Sequence, residues 1–229
     1  MLGFYNYTVW LTYGSLISAV IGIFVSLAGH GHPYIGAIFL LVSGLCDAFD
    51  GMVARTKADR SEQEKQYGIQ IDSLSDLAAF GVLPACIGAA LYKASSTFDP
   101  PQEPCLVARI PYAVFVGIFV LYVLAALIRL AFFNVQAEAG CAAGEKMQKV
   151  YYGLPVTSAA LIFPTFLLLR YLICVDISIG YYAIMLLTSL AFVCKFRMHK
   201  PTLRTILILV GIGGIEFLLI LLLKVNVFR

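Results

Sequence analysis

The sequence predicts an all-α polytopic membrane protein with about seven transmembrane helices. Hydrophobic residues make up 61% of the 229 residues and charged residues only 13%, and the mean hydropathy is +0.89. A soluble domain of this length cannot bury so much apolar surface. Apolar runs of about twenty residues recur, the length a helix needs to cross a bilayer core of about 30 Å. The runs lack the alternation typical of barrel strands, so helices are the structure that satisfies their backbone in lipid.

Seven apolar runs are the predicted spans, and their bounds are 7–27, 34–54, 71–92, 111–133, 154–173, 177–193 and 203–223. The first is longer than a signal-peptide core and has no basic leader, so we interpret it as a retained helix. The closely spaced fifth and sixth spans and the last span are the least clearly defined, so counts of six or eight stay open. We expect one membrane domain over 1–200 and an additional C-terminal transmembrane helix over 201–229.

Basic residues predict the orientation, because cytoplasmic loops carry an excess of lysine and arginine. One set of predicted loops holds Arg55, Lys57, Arg60, Lys65, Lys146, Lys149, Lys195, Arg197, Lys200 and Arg204. The opposite loops hold Lys93, Arg109 and Arg170, with Lys224 and Arg229 at the C-terminus. We therefore place the basic side at the cytoplasmic face of what we interpret as the plasma membrane of a prokaryote. The net charge of +3 reflects this topology, and no nucleic-acid partner is expected.

Four aspartates lie where predicted spans begin or end, Asp47 and Asp50 on the second and Asp72 and Asp76 on the third. Residues three or four apart share a helix face, so two antiparallel helices would bring these carboxylates together. A carboxylate near a bilayer costs several kcal/mol unless it is paired, hydrated or metal-bound. A single one is more simply a helix cap or part of a hydrated vestibule. Four suggest a site for a hard divalent cation, Mg²⁺, Mn²⁺ or Ca²⁺.

The full residue pattern is a more specific signal than the four aspartates alone. Asp47-x-x-Asp50-Gly51-x-x-Ala54-Arg55, followed by Gly68-x-x-x-Asp72-x-x-x-Asp76, resembles the signature of the CDP-alcohol phosphotransferases. These integral membrane enzymes displace CMP from a CDP-linked alcohol by attack of a second alcohol. The resemblance implies a six-helix core within 1–200. The family usually has eight residues between the arginine and the second glycine, whereas twelve separate Arg55 from Gly68 here. We expect the extra length to form a surface loop at 62–66.

The resemblance also implies roles for individual residues. Asp47, Asp50 and Asp72 would hold two Mg²⁺ or Mn²⁺ ions, with Asp47 bridging them, and two such ions can clamp the oxygens of a phosphoryl displacement. Asp76 would complete the metal site and act as general base toward the incoming hydroxyl. The residues around the CDP moiety would be Gly51, Ala54, Arg55, Gly68 and Ser61. Ser61 is the weaker match, because it lies in the longer linker. Arg55 would contact phosphate, which suits its fork of donors.

Four further stretches are similar to the phosphatidylserine synthase branch, namely 72–77, 80–85, 129–134 and 152–156. This similarity implies CDP-diacylglycerol and L-serine as substrates, phosphatidylserine as the product that stays in the membrane lipid, and a homodimer. Arg129 and Asn134 would contact the acceptor or a lipid phosphate. Arg129 lies deep in an apolar run, where a cation is costly and usually paired. The alternatives are that Arg129 snorkels to the headgroups and that Asn134 caps its helix.

Two other functions stay open at this point. The same chemistry with glycerol 3-phosphate or inositol phosphate would need more basic groups, which Lys146, Lys149, Lys195 or Arg197 can supply. A cation transporter would need a polar path beyond Asp76, but 77–83 contain no further acid or amide.

Several other residues carry weaker signals. His30 and His32 have no third metal ligand nearby, and we interpret them as loop residues. The six cysteines form no C-x-x-C pair, so neither zinc nor a disulfide framework is expected. Glu216 either pairs with a base or marks an oligomer contact.

Overall fold

The computed structural model describes residues 3–54, 56–57, 59–95, 112–142, 150–173, 178–195, 197–199 and 203–227. The helices are α1 (Trp10–Leu27), α2 (Pro33–Ala54), α3 (Glu62–Asp76), α4 (Leu83–Ala94), α5 (Tyr112–Ala142), α6 (Ala159–Ile173), α7 (Ser178–Val193) and α8 (Leu203–Val227). Short 3₁₀ turns at Tyr7–Val9 and Val156–Ser158 precede α1 and α6. The predicted all-α fold class is confirmed.

A two-stranded ribbon is the only β structure in these ranges. Strand β1 (Val150–Tyr152) pairs antiparallel with β2 (Arg197–His199). The ribbon was not predicted, because three-residue strands are too short to show a hydrophobic alternation.

Apolar helices cover every predicted span. Four are long and apolar enough to cross a membrane, namely Tyr7–Leu27, Pro33–Ala54, Glu62–Ala94 and Tyr112–Gln136. Three shorter apolar helices follow at Val156–Leu169, Ser178–Val193 and Leu207–Leu222. The lengths and composition of the four long helices indicate an integral membrane protein.

The third span begins earlier than predicted, and the expected surface loop at 62–66 is wrong. Helix α3 starts at Glu62, because Ser61 and Glu64 form a capping box. The Glu64 backbone N–H donates to Ser61 Oγ at 3.1 Å, and the Ser61 backbone N–H donates to Glu64 Oε2 at 3.1 Å. A serine followed three residues later by glutamate satisfies two N–H groups that a helix start leaves unpaired. The additional residues therefore extend α3 instead of forming a loop.

Helices α1 and α2 pack closely through small residues. Ser15 Oγ donates to the Ser43 carbonyl at 3.3 Å, and Ser43 Oγ donates to the Ser15 carbonyl at 3.0 Å. On another side of α2, a Cβ added at Gly44 would lie only 2.6 Å from Ala160 Cβ of α6. Without a hydrophobic force between helices in lipid, such close approach and interhelical hydrogen bonds hold a bundle together.

A π-helical segment, Leu77–Val82, joins α3 to α4. The Leu83 N–H bonds the Ala78 carbonyl, a wider spacing than in an α-helix. Pro84 has no N–H to give to the Phe80 carbonyl one turn back. The fully buried Tyr122 of α5 supplies the missing donor, with its hydroxyl 2.7 Å from that carbonyl. This bond ties α5 to the helix that carries Asp76.

Helix α8 packs on α2 and α6. Its Glu216 is 5% exposed, and the Thr165 hydroxyl of α6 donates to Glu216 Oε1. Glu216 Oε2 has no hydrogen-bond partner among the residues that the structure describes, and no base pairs with it there. The alternative in which Glu216 pairs with a base is therefore not found among the described residues. A hydroxyl on a neighbouring helix is its partner.

Replacing Tyr122 with phenylalanine should lower stability by about 1–3 kcal/mol, because a buried carbonyl loses its donor while the ring stays. The thermal unfolding midpoint in detergent measures the effect. Tyr112→Phe removes a hydroxyl from an exposed tyrosine and serves as the control. Equal midpoints for the two variants would show that the Tyr122 hydroxyl does not compensate for Pro84.

Candidate active site

Helices α2 and α3 place the four predicted aspartates together. Asp47 and Asp50 lie in the last two turns of α2, and Asp72 and Asp76 lie at the end of α3. One carboxylate oxygen from each of Asp47, Asp50 and Asp72 lies within 4.8 Å of the others. The Asp76 side chain neighbours that of Asp47, and the Asp72 side chain neighbours that of Asp50. The antiparallel arrangement expected from the sequence is therefore the one that forms.

The cluster has the donor set of a hard-cation site. Asp50 and Asp76 are each 8% exposed, and the other two are partly buried. In the ranges that the structure covers, no lysine or arginine forms an ion pair with them. Ligand distances of about 2.0–2.6 Å around Mg²⁺ or Ca²⁺ allow oxygens on one ion to be about 4–5 Å apart. The spacing of these oxygens fits a bound divalent cation, which would offset their mutual repulsion.

Thr12 of α1 contacts both helices of the cluster. Its Oγ1 donates to Asp50 Oδ2 at 3.2 Å, and its backbone carbonyl accepts from Ser75 Oγ at 3.2 Å. Both Thr12 and Ser75 are buried. The sequence analysis missed Thr12, although a signal existed. Thr12, Ser15 and Ser18 recur at helical spacing on an otherwise apolar span, which indicates a polar face turned toward other helices.

The residues expected around CDP lie on the two aspartate helices. Gly51 and Ala54 are half-buried in the last turn of α2, and Gly68 lies one turn before Asp72 on α3. Arg60 fills the space between them. Its Nη1 donates to the Ala54 carbonyl at 3.3 Å, and a Cβ added at Gly68 would lie 2.7 Å from its Nη2. Arg55 falls outside the described residues.

Ser61 serves a structural role that the sequence analysis did not assign to it. Its exposed side chain caps α3. Gly68 lies seven positions further along the chain, which corresponds to about 10 Å in a helix. Its contact with CDP stays a prediction.

Arg129 is buried, with 6% of its surface exposed, so its side chain does not reach the headgroups as a snorkelling arginine would. Its Nε donates to the Leu154 carbonyl at 3.2 Å, and its guanidinium lies 5.6 Å from the Phe133 ring centroid. These contacts hold the segment before α6 against α5. Its contact with an acceptor or a lipid phosphate stays a prediction.

Asn134 does not cap its helix, because α5 continues to Ala142. The Asn134 amide donates to Ser73 Oγ at 2.8 Å, and the Ser73 hydroxyl is 3.2 Å from Asn134 Oδ1. Since Ser73 follows Asp72, this pair links α5 to the metal-site helix. Because Asn134 lies within the helix, the alternative that it caps α5 is wrong. Its contact with a substrate stays a prediction.

The remaining candidates contribute less. His30 and His32 lie in the exposed connection between α1 and α2, away from the acidic cluster along the chain. Lys195 is exposed and Arg197 lies in β2, whereas Lys146 and Lys149 fall outside the described residues. Cys46, Cys86 and Cys194 are free thiols.

Comparisons with known proteins agree with the resemblance drawn from the aspartate pattern. Residues 5–194 match the model of the CDP-alcohol phosphatidyltransferase family. The chain is also 34% identical over 140 residues to the CDP-diacylglycerol–serine O-phosphatidyltransferase of Saccharomyces cerevisiae. That match covers 60% of this chain but only 43% of the yeast enzyme, so the chain spans less than half of this relative. No solved structure matches the chain.

The family match runs through both aspartate helices, and the fold brings their acidic residues into one cluster. The chain therefore belongs to the CDP-alcohol phosphatidyltransferase family, a family of enzymes.

Proposed function

We propose that this protein transfers the phosphatidyl group of CDP-diacylglycerol to the hydroxyl of L-serine, releasing CMP and forming phosphatidylserine. The observation that carries the proposal is the carboxylate cluster of Asp47, Asp50 and Asp72, whose oxygens lie within 4.8 Å of one another. Family membership supports the CDP-linked donor. The name of the yeast relative supports serine as the acceptor.

Asp47, Asp50, Asp72 and Asp76 would hold the metal, which we propose to be two Mg²⁺ or Mn²⁺ ions. When bound, divalent ions offset the charge of the diphosphate and polarise its oxygens. The protein contributes a prearranged oxygen set on two packed helices. Thr12 holds Asp50 by a hydrogen bond at 3.2 Å, so this carboxylate is oriented before any ligand arrives.

Asp76 is our candidate for the general base. It is buried at the end of α3, beside Asp47 and directly before the π-helical segment. In the proposed reaction the serine hydroxyl gives its proton to Asp76, and the serine oxygen attacks the phosphorus that carries the diacylglycerol. The bond from that phosphorus to the CMP oxygen breaks as the new bond forms. We propose direct displacement, so no phosphatidyl-enzyme adduct accumulates.

The site would face the cytoplasm, because the basic connection between α2 and α3 lies beside it. CDP-diacylglycerol would enter from the lipid leaflet and L-serine from the aqueous side. A homodimer is proposed from the family resemblance alone.

The deciding assay is CMP release by purified protein in detergent, with CDP-diacylglycerol and Mg²⁺ or Mn²⁺. L-serine, glycerol 3-phosphate and inositol phosphate are supplied in separate reactions. CMP release that requires serine supports the proposal. Release that requires one of the phosphorylated alcohols keeps the donor and refutes the serine acceptor. A folded, metal-loaded protein that releases no CMP with any acceptor refutes the phosphatidyl transfer.

Asp76→Asn should lower CMP release by about 10²–10⁴-fold, because the amide cannot take the serine proton. Mn²⁺ should still bind, since Asp47, Asp50 and Asp72 remain. The measurements are CMP release and Mn²⁺ binding by electron paramagnetic resonance. Asp59→Asn, which changes an exposed aspartate between the same helices, is the matched control. Near-normal turnover by Asp76→Asn would remove Asp76 from the mechanism.

Thr12→Val should raise the metal concentration for half-maximal activity by about 10–100-fold, because Asp50 loses the hydrogen bond that orients it. Mn²⁺ affinity measured without turnover should fall in parallel, and Thr12→Ser should restore both values. Ser18→Ala is the control, because Ser18 also links α1 to α2, through the Phe39 carbonyl at 2.8 Å, but lies turns away from the aspartates. If Thr12→Val loses stability with unchanged metal affinity, Thr12 only holds helices together.

A further inference from the structure

The connection between α2 and α3 and the first turn of α3 carry three basic residues that the structure describes, and these residues differ in their partners. Lys57 Nζ pairs with Glu64 Oε1 at 3.1 Å, and Lys65 Nζ pairs with Glu62 Oε1 at 2.7 Å. Arg60 pairs with no carboxylate in the described ranges. Its Nε is buried and has no hydrogen-bond partner there. Its guanidinium is therefore not held by an ion pair with a described residue.

The two backbone contacts of Arg60 are weak ones. Its Nη1 lies 3.3 Å from the Ala54 carbonyl, and its Nη2 lies 3.3 Å from the Glu64 carbonyl. N–H···O bonds in proteins are typically about 2.9–3.0 Å long, and charged pairs are shorter still. A phosphate oxygen would therefore be a better partner than either carbonyl.

The position of Arg60 relates it to the metal site. Its guanidinium lies between Ala54 on α2 and Gly68 on α3. Ala54 follows Asp50 by one turn and Gly68 precedes Asp72 by one turn, so the residues that the guanidinium contacts lie about one helical turn from the aspartates along each helix. Gly68 has no side chain to exclude the guanidinium. A diphosphate that reaches out from metals on these aspartates would meet Arg60.

We propose that Arg60 binds the diphosphate of the CDP-linked donor, exchanging its carbonyl contacts for phosphate oxygens. This inference rests on the proposed function and adds a donor-binding residue to it. A guanidinium presents a planar fork of donors that matches phosphate oxygens. Near the membrane, where charge is poorly solvated, the negative charge of the donor calls for such a cation in addition to the metals. The unpartnered Nε is the donor that this ligand would satisfy.

The test compares Arg60→Gln, Arg60→Lys and the control Lys65→Gln, whose wild-type lysine is exposed and already paired. Arg60→Gln should raise the KM for CDP-diacylglycerol about 10–100-fold, the loss expected for a hydrogen bond to a charged group. Arg60→Lys should be intermediate, because it keeps the charge but loses the fork. The serine KM and the metal half-saturation should not change. Lys65→Gln should match the wild type.

Binding of CDP to the metal-loaded protein by calorimetry tests the same contact without turnover. Weaker CDP binding by Arg60→Gln supports the proposal even if the acceptor is not serine. Unchanged CDP affinity and donor KM, with a lower unfolding midpoint, would show that Arg60 only fastens α2 to α3, and would overturn it. A shift in metal half-saturation with unchanged CDP affinity would also overturn it. Absence of CMP release by the wild type refutes the proposed function and leaves the calorimetric result to decide on Arg60.

Discussion

Four carboxylates held together where the last turns of α2 and α3 meet set the main constraint on this molecule. Carboxylates in such a place repel one another and are poorly hydrated, so each needs a partner. Helices α2 and α3 bring oxygens of Asp47, Asp50 and Asp72 within 4.8 Å of one another, and α1 supports the group through Thr12. Reciprocal serine contacts hold α1 against α2, and Ser75 of α3 donates to the Thr12 carbonyl of α1, so hydrogen bonds join both other helices to α1. The packing of the bundle thus holds the carboxylates together, and a bound metal ion would offset their mutual repulsion.

The reaction proposed for this site needs a rigid part, which holds the metal ligands, and an adaptable part, which binds and releases the nucleotide. The aspartates lie on continuous helices whose positions are fixed by packing and by the π-helical junction. In our proposal the nucleotide would lie where α2 ends and α3 begins, beside Arg60, whose hydrogen bonds to the Ala54 and Glu64 carbonyls are both 3.3 Å long. Precise placement is needed at the reacting phosphorus, whereas a bulky nucleotide has to enter and leave.

Much of this architecture could be predicted from the sequence, because hydropathy and aspartate spacing are local patterns. All seven predicted spans coincide with apolar helices, and the helical spacing of Asp47, Asp50, Asp72 and Asp76 indicated a shared cluster. The features that were not predicted are contacts between residues that lie far apart in the sequence. Asn134 was open as a helix cap because nothing local shows that α5 continues, and Thr12 faces Asp50 only once α1 has packed on α2. The supposed loop at 62–66 was a different error, since the capping pattern of Ser61 and Glu64 was visible and was not used.

The early start of α3 has a consequence for how such a chain can change length. Four extra residues in an α-helix advance it by about 400°, because each residue turns it by about 100°. The chain upstream therefore returns to within about 40° of the side from which it would otherwise enter. An insertion of that size hardly changes the direction from which the chain enters the helix. It moves the helix start outward, while Asp72 and Asp76 keep facing Asp47 and Asp50. Insertions of two residues in the same helix would turn the incoming chain to the opposite side. Homologues of this protein should therefore differ here by whole turns of helix.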